Sequence, residues 1–286
     1  MKQRLIVCIA AVMLALMHGV YANALIWAEG KCGDNVTWSL DYNGRLGILT
    51  ISGTGDMYDY AYWDNRAPWD NYYYIIDKVS ISDGVSRIGN NAFLECSSLT
   101  SIEIPNSVTT IGNGAFYDCS SLTNIEIPNS VMTIGNEAFS GCSSLISINI
   151  PNSVVEIGLG AFYGCSSLTS IEIPNSVMTI GSIAFYGCSG LTSINISSSV
   201  IEIGDGAFYG CSSLTSIEIP NSVMTIGNEV FSGCNSLISI NIPNSVVEIG
   251  RSAFYGCSSL TSIEIPNSVM TIGSEAFRDC HSLTSI

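Results

Sequence analysis

Nine cysteines (Cys96, Cys119, Cys142, Cys165, Cys188, Cys211, Cys234, Cys257 and Cys280) recur every 23 residues without a slip in register. Every phenylalanine of the chain (Phe93, Phe116, Phe139, Phe162, Phe185, Phe208, Phe231, Phe254 and Phe277) stands three places before one of them. Nine full 23-residue units and a partial tenth fill residues 76–286. A fixed period of this length marks a solenoid, in which each unit packs on its neighbours. One such unit buries too few side chains to offset the entropy of ordering its backbone, so the coils must stack and share one core.

The unit can be read residue by residue. Leu122, Ile125 and Ile127 alternate with polar residues, the pattern of a short strand. Pro128 removes a ladder donor and opens a turn with Asn129 and Ser130. Residues 131–135 form a second extended piece ending in glycine, and residues 137–142 suit a single helical or 3₁₀ turn. Leu122, Ile125, Ile127, Val131, Ile134, Ala138, Phe139 and Cys142 are expected to face inward, with the Phe and Cys rows as the core ladder. The expected class is a β-rich repeat solenoid whose sheet face, at about 4.8 Å per strand, runs roughly 40 Å.

The units also alternate in pairs. Glu126, Glu172, Glu218 and Glu264 occupy one strand position in every other coil, with Asn149, Asn195 and Asn241 between them. Glu156, Glu202 and Glu248 hold a later position in the coils that carry those asparagines. The alternation sets same-row carboxylates two coils apart, near 10 Å, which relieves the repulsion of like charges on adjacent strands.

Ahead of the repeats, Lys2 and Arg4 precede an apolar run at residues 5–17 and the small residues Ala22-Asn23-Ala24. This is the pattern of a secretory signal peptide over residues 1–24, and the run is too short to span a membrane. Residues 25–75 carry all four tryptophans and seven tyrosines. Alternation at residues 36–41 and 45–52 around Asn43-Gly44 predicts a hairpin with a type I′ turn, and the segment is expected to cap the solenoid. The competing reading is an aromatic ligand platform of Trp63, Trp69 and residues 72–74.

Nine Lys and Arg against 24 Asp and Glu give a net charge of −15, and 12 acidic residues but no cation lie between Arg87 and Arg251. That balance opposes binding to nucleic acid or to an anionic membrane. Beyond the leader the one histidine is His281, so no Ser-His-Asp set can be built. The carboxylates recur coil after coil, unlike a tuned acid–base pair. No catalytic residue, cofactor, metal site or enzymatic activity is expected. Stacked cysteines lie about 4.8 Å apart, whereas disulfide-bonded Cβ atoms sit near 3.8 Å, so the row is expected to be free, buried thiols. Cys32 is read as a free thiol in the cap, with an odd disulfide as the alternative.

Gly30-Lys31-Cys32-Gly33-Asp34-Asn35-Val36-Thr37-Trp38, Ile51-Ser52-Gly53-Thr54-Gly55-Asp56-Met57 and Pro68-Trp69, followed by repeats of Ile-x-Ile-Pro-Asn-Ser-Val-x-x-Ile-Gly-x-x-Ala-Phe-x-x-Cys, resemble BspA-type leucine-rich-repeat surface proteins. The resemblance spans about residues 30–286. It implies a right-handed leucine-rich-repeat superhelix of the α/β horseshoe type, a secreted or cell-surface location, and adhesion to host proteins or to other cells. The candidate binding face comprises Tyr117, Tyr163, Tyr186, Tyr209 and Tyr255, which directly follow the core phenylalanines, together with Glu126, Glu172, Glu218 and Glu264. Tyrosine offers contact area at low entropic cost; plain packing between coils competes as an explanation for its row, and solubilisation for the glutamate row. The expected partners are extracellular or cell-surface proteins.

Two other readings stand beside adhesion. One is a structural or self-assembling protein: the sequence stops mid-strand at Ile286, which implies either a truncated sequence or an uncapped coil that associates end to end. The other is glycan or ice binding by a threonine row (Thr169, Thr192, Thr215), interrupted by Ile146 and Ile238.

Overall fold

The computed structural model describes residues 26–285, so the leader expected at 1–24 lies outside the described residues. The chain winds as a β-solenoid whose coils meet along three ladders. The first is built from short parallel strands, among them Asn124–Glu126 with Ser147–Asn149, Ser170–Ile173 with Ser193–Ile196, and Ser216–Glu218 with Ser239–Asn241 and Ser262–Glu264. Isoleucine pairs with isoleucine throughout: Ile125 with Ile148, Ile171 with Ile194, Ile217 with Ile240. A slip of one residue would turn these side chains out to water, so the buried face fixes the register.

Ser82 and Ser197 take the proline's place in two coils, but after the other first strands a proline closes the turn, as when Val131 N–H donates to Pro128 O at 3.0 Å. The serine beside it ties that turn to the coil behind: Ser130 Oγ donates to Val108 O at 2.6 Å, and Ser153 Oγ likewise to Val131 O. The second ladder follows from two-residue strands such as Thr133–Ile134, Glu156–Ile157, Thr179–Ile180 and Glu202–Ile203, again in register.

The third ladder differs from the helical or 3₁₀ turn expected at residues 137–142. Alternate N–H groups there bond forward to the next coil: Glu137 to Leu159 O, Phe139 to Ala161 O and Gly141 to Tyr163 O, all at 2.7–2.8 Å. The intervening groups close tight turns, Ala138 to Gly135 O, Ser140 to Glu137 O and Cys142 to Phe139 O. A helix would satisfy its donors within its own segment; here half of them are shared between coils. The alternation requires left-handed backbone at Gly141 (φ 73°) and Glu137 (φ 54°). The one 3₁₀ helix among the described residues is Asp70–Tyr72, outside the repeats.

The phenylalanines stack along the axis with ring centroids 5.3–5.7 Å apart and planes within 17° of parallel. All are fully buried except Phe277, which is partly covered. The cysteines from Cys96 to Cys280 are free and buried. They do more than fill space: Cys119 Sγ donates to Phe93 O at 3.1 Å, and the same bond recurs from each later coil to the phenylalanine carbonyl of the coil before. Burial pushes the Cys96, Cys188 and Cys234 thiols up to about 12, far from the thiolate needed for exchange or metal binding.

At the N-terminal side, β1 (Ile26–Lys31), β2 (Val36–Tyr42) and β3 (Gly47–Gly53) form an antiparallel meander. The hairpin between β2 and β3 has a four-residue loop in place of the expected type I′ turn, because Asn43 Oδ1 accepts from the N–H groups of Arg45 and Leu46. β3 pairs parallel with β5 (Ile76–Ile81), and β4 (Gly55–Asp56) with β6 (Val85–Ile88). Both sheets of the solenoid therefore continue into this segment. Trp69 lies fully buried against Phe93, 5.8 Å away at 23°, and its indole N–H donates to Ala92 O at 2.9 Å. Trp38 and Tyr60 meet its edges in T-shaped contacts. An aromatic platform that includes Trp69 is thus overturned, because the ring that heads the phenylalanine stack has no free face; Trp63 and Tyr74 remain exposed.

Candidate binding face

The tyrosines ride on the third ladder, one residue beyond the buried phenylalanines, so the coil spacing stacks them as well. Tyr163 and Tyr186 lie 4.8 Å apart at 8°, and Tyr186 and Tyr209 4.5 Å apart at 1°. Ser140 and Ser232 replace tyrosine in the coils on either side and leave the stack three rings long. Tyr117 stands apart and meets the edge of Tyr62 at 6.4 Å, and Tyr62 in turn meets Trp63. Tyr255 lies under the Arg278 guanidinium, 5.8 Å from its centroid. Burial, followed by Tyr209 and Tyr163, raises the Tyr186 phenol, so that side chain stays protonated and neutral at physiological pH.

Glu126, Glu172, Glu218 and Glu264 are exposed on the first ladder, opposite asparagines: Glu126 by Asn149, Glu172 by Asn195, and both Glu218 and Glu264 by Asn241. The structure does not bring this row to the tyrosines. The acids whose charges act on the tyrosine ring hydroxyls are others: Asp118, Glu137 and Glu95 on Tyr117, Glu229 on Tyr186, Asp279 and Glu275 on Tyr255. They sit on the third ladder itself, at two places in the repeat: Glu95, Asp118 and Asp279 directly before the cysteine, and Glu137, Glu229 and Glu275 two residues before the phenylalanine.

The cations of this face are engaged by its own acids. Arg66 holds Asp70 and Glu95, each at 2.7 Å, and lies over the Tyr62 ring. Arg251 pairs with Glu229 at 2.7 Å, and Arg278 with Glu275 at 3.0 Å. The Arg66 hydrogen bond holds the Glu95 carboxyl below the usual range. Two of the row's three threonines tie down the coil behind: Thr169 Oγ1 donates to Ile146 O and Thr192 Oγ1 to Thr169 O.

A further row had gone unread in the sequence. Met132, Val155, Met178, Ile201, Met224, Val247 and Met270 each directly follow the core valine in seven successive coils. From Met132 to Met224 they are 50–61% exposed, and Met270 is 86% exposed. The signal was available: a coil needs one inward residue there, yet these repeats place two apolar residues side by side.

Residues 71–192 and 179–286 match the family described as "BspA type Leucine rich repeat region", in six copies. Among solved structures, a leucine-rich repeat protein of T. pallidum aligns at 27% identity with a TM-score of 0.51, covering 86% of this chain and 87% of its own. A leucine-rich repeat protein from Eubacterium ventriosum aligns at 21% identity and TM-score 0.47, covering 91% of this chain and 96% of its own. A leucine rich cell surface protein from Faecalibacterium prausnitzii aligns at 26% and 0.41, covering 91% and 94%. No curated protein matches the chain.

Proposed function

Because the chain belongs to the BspA-type leucine-rich-repeat family, we propose that it acts at the cell surface or in the surroundings as an adhesion protein, binding extracellular or cell-surface proteins through its repeats. Residues 1–24 direct its export in this reading, and residues 25–75 cap the solenoid. No helix among the described residues is long and apolar enough to cross a membrane. The function is binding rather than catalysis: polar side chains recur at fixed registers along the coils instead of converging on one point.

The observation that carries the proposal is the parallel stack of Tyr163, Tyr186 and Tyr209 on the outside of the third ladder. Stacked rings present a rigid, neutral strip with hydroxyls at its edge, the kind of surface that makes contact without ordering long side chains. Identical coils make the contact multivalent, so avidity grows with the number of coils engaged.

The test is binding of the full chain to immobilised extracellular-matrix proteins and to intact cells, compared with a Tyr163→Ala, Tyr186→Ala, Tyr209→Ala triple variant. Half-exposed tyrosines can be truncated without emptying the core, so the variant is expected to fold and to bind at least tenfold more weakly. Unchanged binding by a folded triple variant would remove the tyrosine row from the function.

A further inference from the structure

From the row of exposed apolar residues beginning at Met132, we propose a second binding surface, on the second ladder, that receives a cationic amphipathic α-helix. It does not rest on the tyrosine row, which lies on a different ladder.

The second ladder needs one apolar residue per strand to cover the core, and Ile134, Ile157, Ile180, Ile203, Ile226 and Ile249 supply it, all buried. The row from Met132 to Met270 is additional apolar surface, exposed in six of seven successive coils and half-buried at Val247. Six intervals at about 4.8 Å make the stripe close to 29 Å long. Contiguous exposed apolar surface on this scale marks an interaction site, and methionine adapts its shape to what it meets. An open groove of about 710 Å³ lies at Ile201 and Met224, with Glu202, Thr225 and Asp205 also in its lining.

Charge selects the occupant. Beside each methionine stands a threonine and beside each branched residue a glutamate, so Glu156, Glu202 and Glu248 edge the stripe. Strand register places a threonine between successive glutamates: Glu156 opposite Thr179, Thr179 opposite Glu202, Thr225 opposite Glu248. The carboxylates are therefore about 10 Å apart. No Lys or Arg lies between Arg87 and Arg251, so the chain offers this row no cation of its own across that span. A second copy of the chain would bring further carboxylates to the same edge, whereas a partner with regularly spaced cations would neutralise it.

Spacing selects the helix. A helix laid along the stripe advances about 5.4 Å per turn, near the coil spacing, and its residues i, i+7 and i+14 lie about 10.5 Å apart on one edge. Lys or Arg at those positions would meet Glu156, Glu202 and Glu248, while the apolar face covers the methionines. About 20 residues of helix match the length of the stripe.

The experiment titrates the full chain with a synthetic 21-residue leucine–lysine helix carrying lysine at every seventh position along one edge. The expected result is one-to-one binding, weakened at least tenfold by Met178→Gln with Met224→Gln. Glu156→Gln, Glu202→Gln and Glu248→Gln together should weaken it to a similar degree and flatten its salt dependence. The matching triple Glu126→Gln, Glu172→Gln and Glu218→Gln on the first ladder should leave affinity within twofold. Equal loss from that control triple would show undirected attraction to an acidic protein and overturn the proposal. So would full binding by the methionine variant, or sedimentation as a dimer that the methionine variant dissolves, which would make a second copy the occupant.

Discussion

The segment before residue 76 and the repeats after it solve the same packing problem in opposite ways. In the repeats, aromatic rings lie nearly parallel because each coil presents the same side chain at the same height. In the N-terminal segment, Trp69 meets Trp38 and Tyr60 at 71–73°, edge to face, and only toward Phe93 does it align with the stack. Repetition can extend a core coil after coil, whereas an irregular, edge-on cluster presents no repeated surface to continue. The charges divide in the same way. Arg66 and Arg87 each bind acids brought together by the fold, Glu95 and Asp59 respectively, whereas the middle coils carry acids with no cation near them in sequence.

Removing a ring from each region tests that contrast. Phe162→Ala empties a fully buried site with aromatic neighbours on both sides and should lower stability by about 4 kcal/mol, read from urea unfolding. If coils couple only to neighbours, the transition should also broaden or split. Trp69→Ala should cost about 3 kcal/mol, with faster amide exchange confined to residues 26–120. Uniform loss of protection along the whole chain after Trp69→Ala would erase the distinction between the two regions.

Acid should separate them more gently. Glu95, held below its ordinary range by Arg66, stabilises the fold fully above the unfolded value of about 4.3. That contribution fades as pH falls through the lowered native value. Partial exposure of the pair limits the effect to about 0.5–1 kcal/mol. Amide exchange near residues 60–95 should rise as pH falls below about 4.3 while the central coils hold, and Glu95→Gln should weaken that pH dependence, leaving the share of Asp59, whose carboxyl is also lowered. A central segment that opens first on acidification would reverse the comparison.

Much of this architecture was legible because a fixed period turns sequence position into height along the axis: the phenylalanine and cysteine rows and the inward isoleucines follow from counting. What escaped did so for physical reasons. The segment at residues 137–142 has helix-compatible composition, but its donors are claimed by the neighbouring coil, which no single unit reveals. Trp69 stands 24 residues before Phe93 rather than 23, so its place at the head of the stack is invisible to the period and visible only in the packing. The tyrosine and glutamate rows were grouped as one face, because sequence gives height along the axis without the angle around it. The methionine row was passed over because methionine beside a core valine reads as more core until exposure is seen.

The sulfur ladder sets an order of events. Once wound, the ten described thiols are buried, and those from Cys119 to Cys280 are hydrogen-bonded to the backbone of the coil before, so an oxidant finds little to attack. An unwound chain exposes ten interchangeable thiols beyond residue 24, any two of which can join in a link that locks coils out of step. Oxidising surroundings are harmless to this molecule after winding and hazardous before it, so its maturation is a race between zipping and cross-linking.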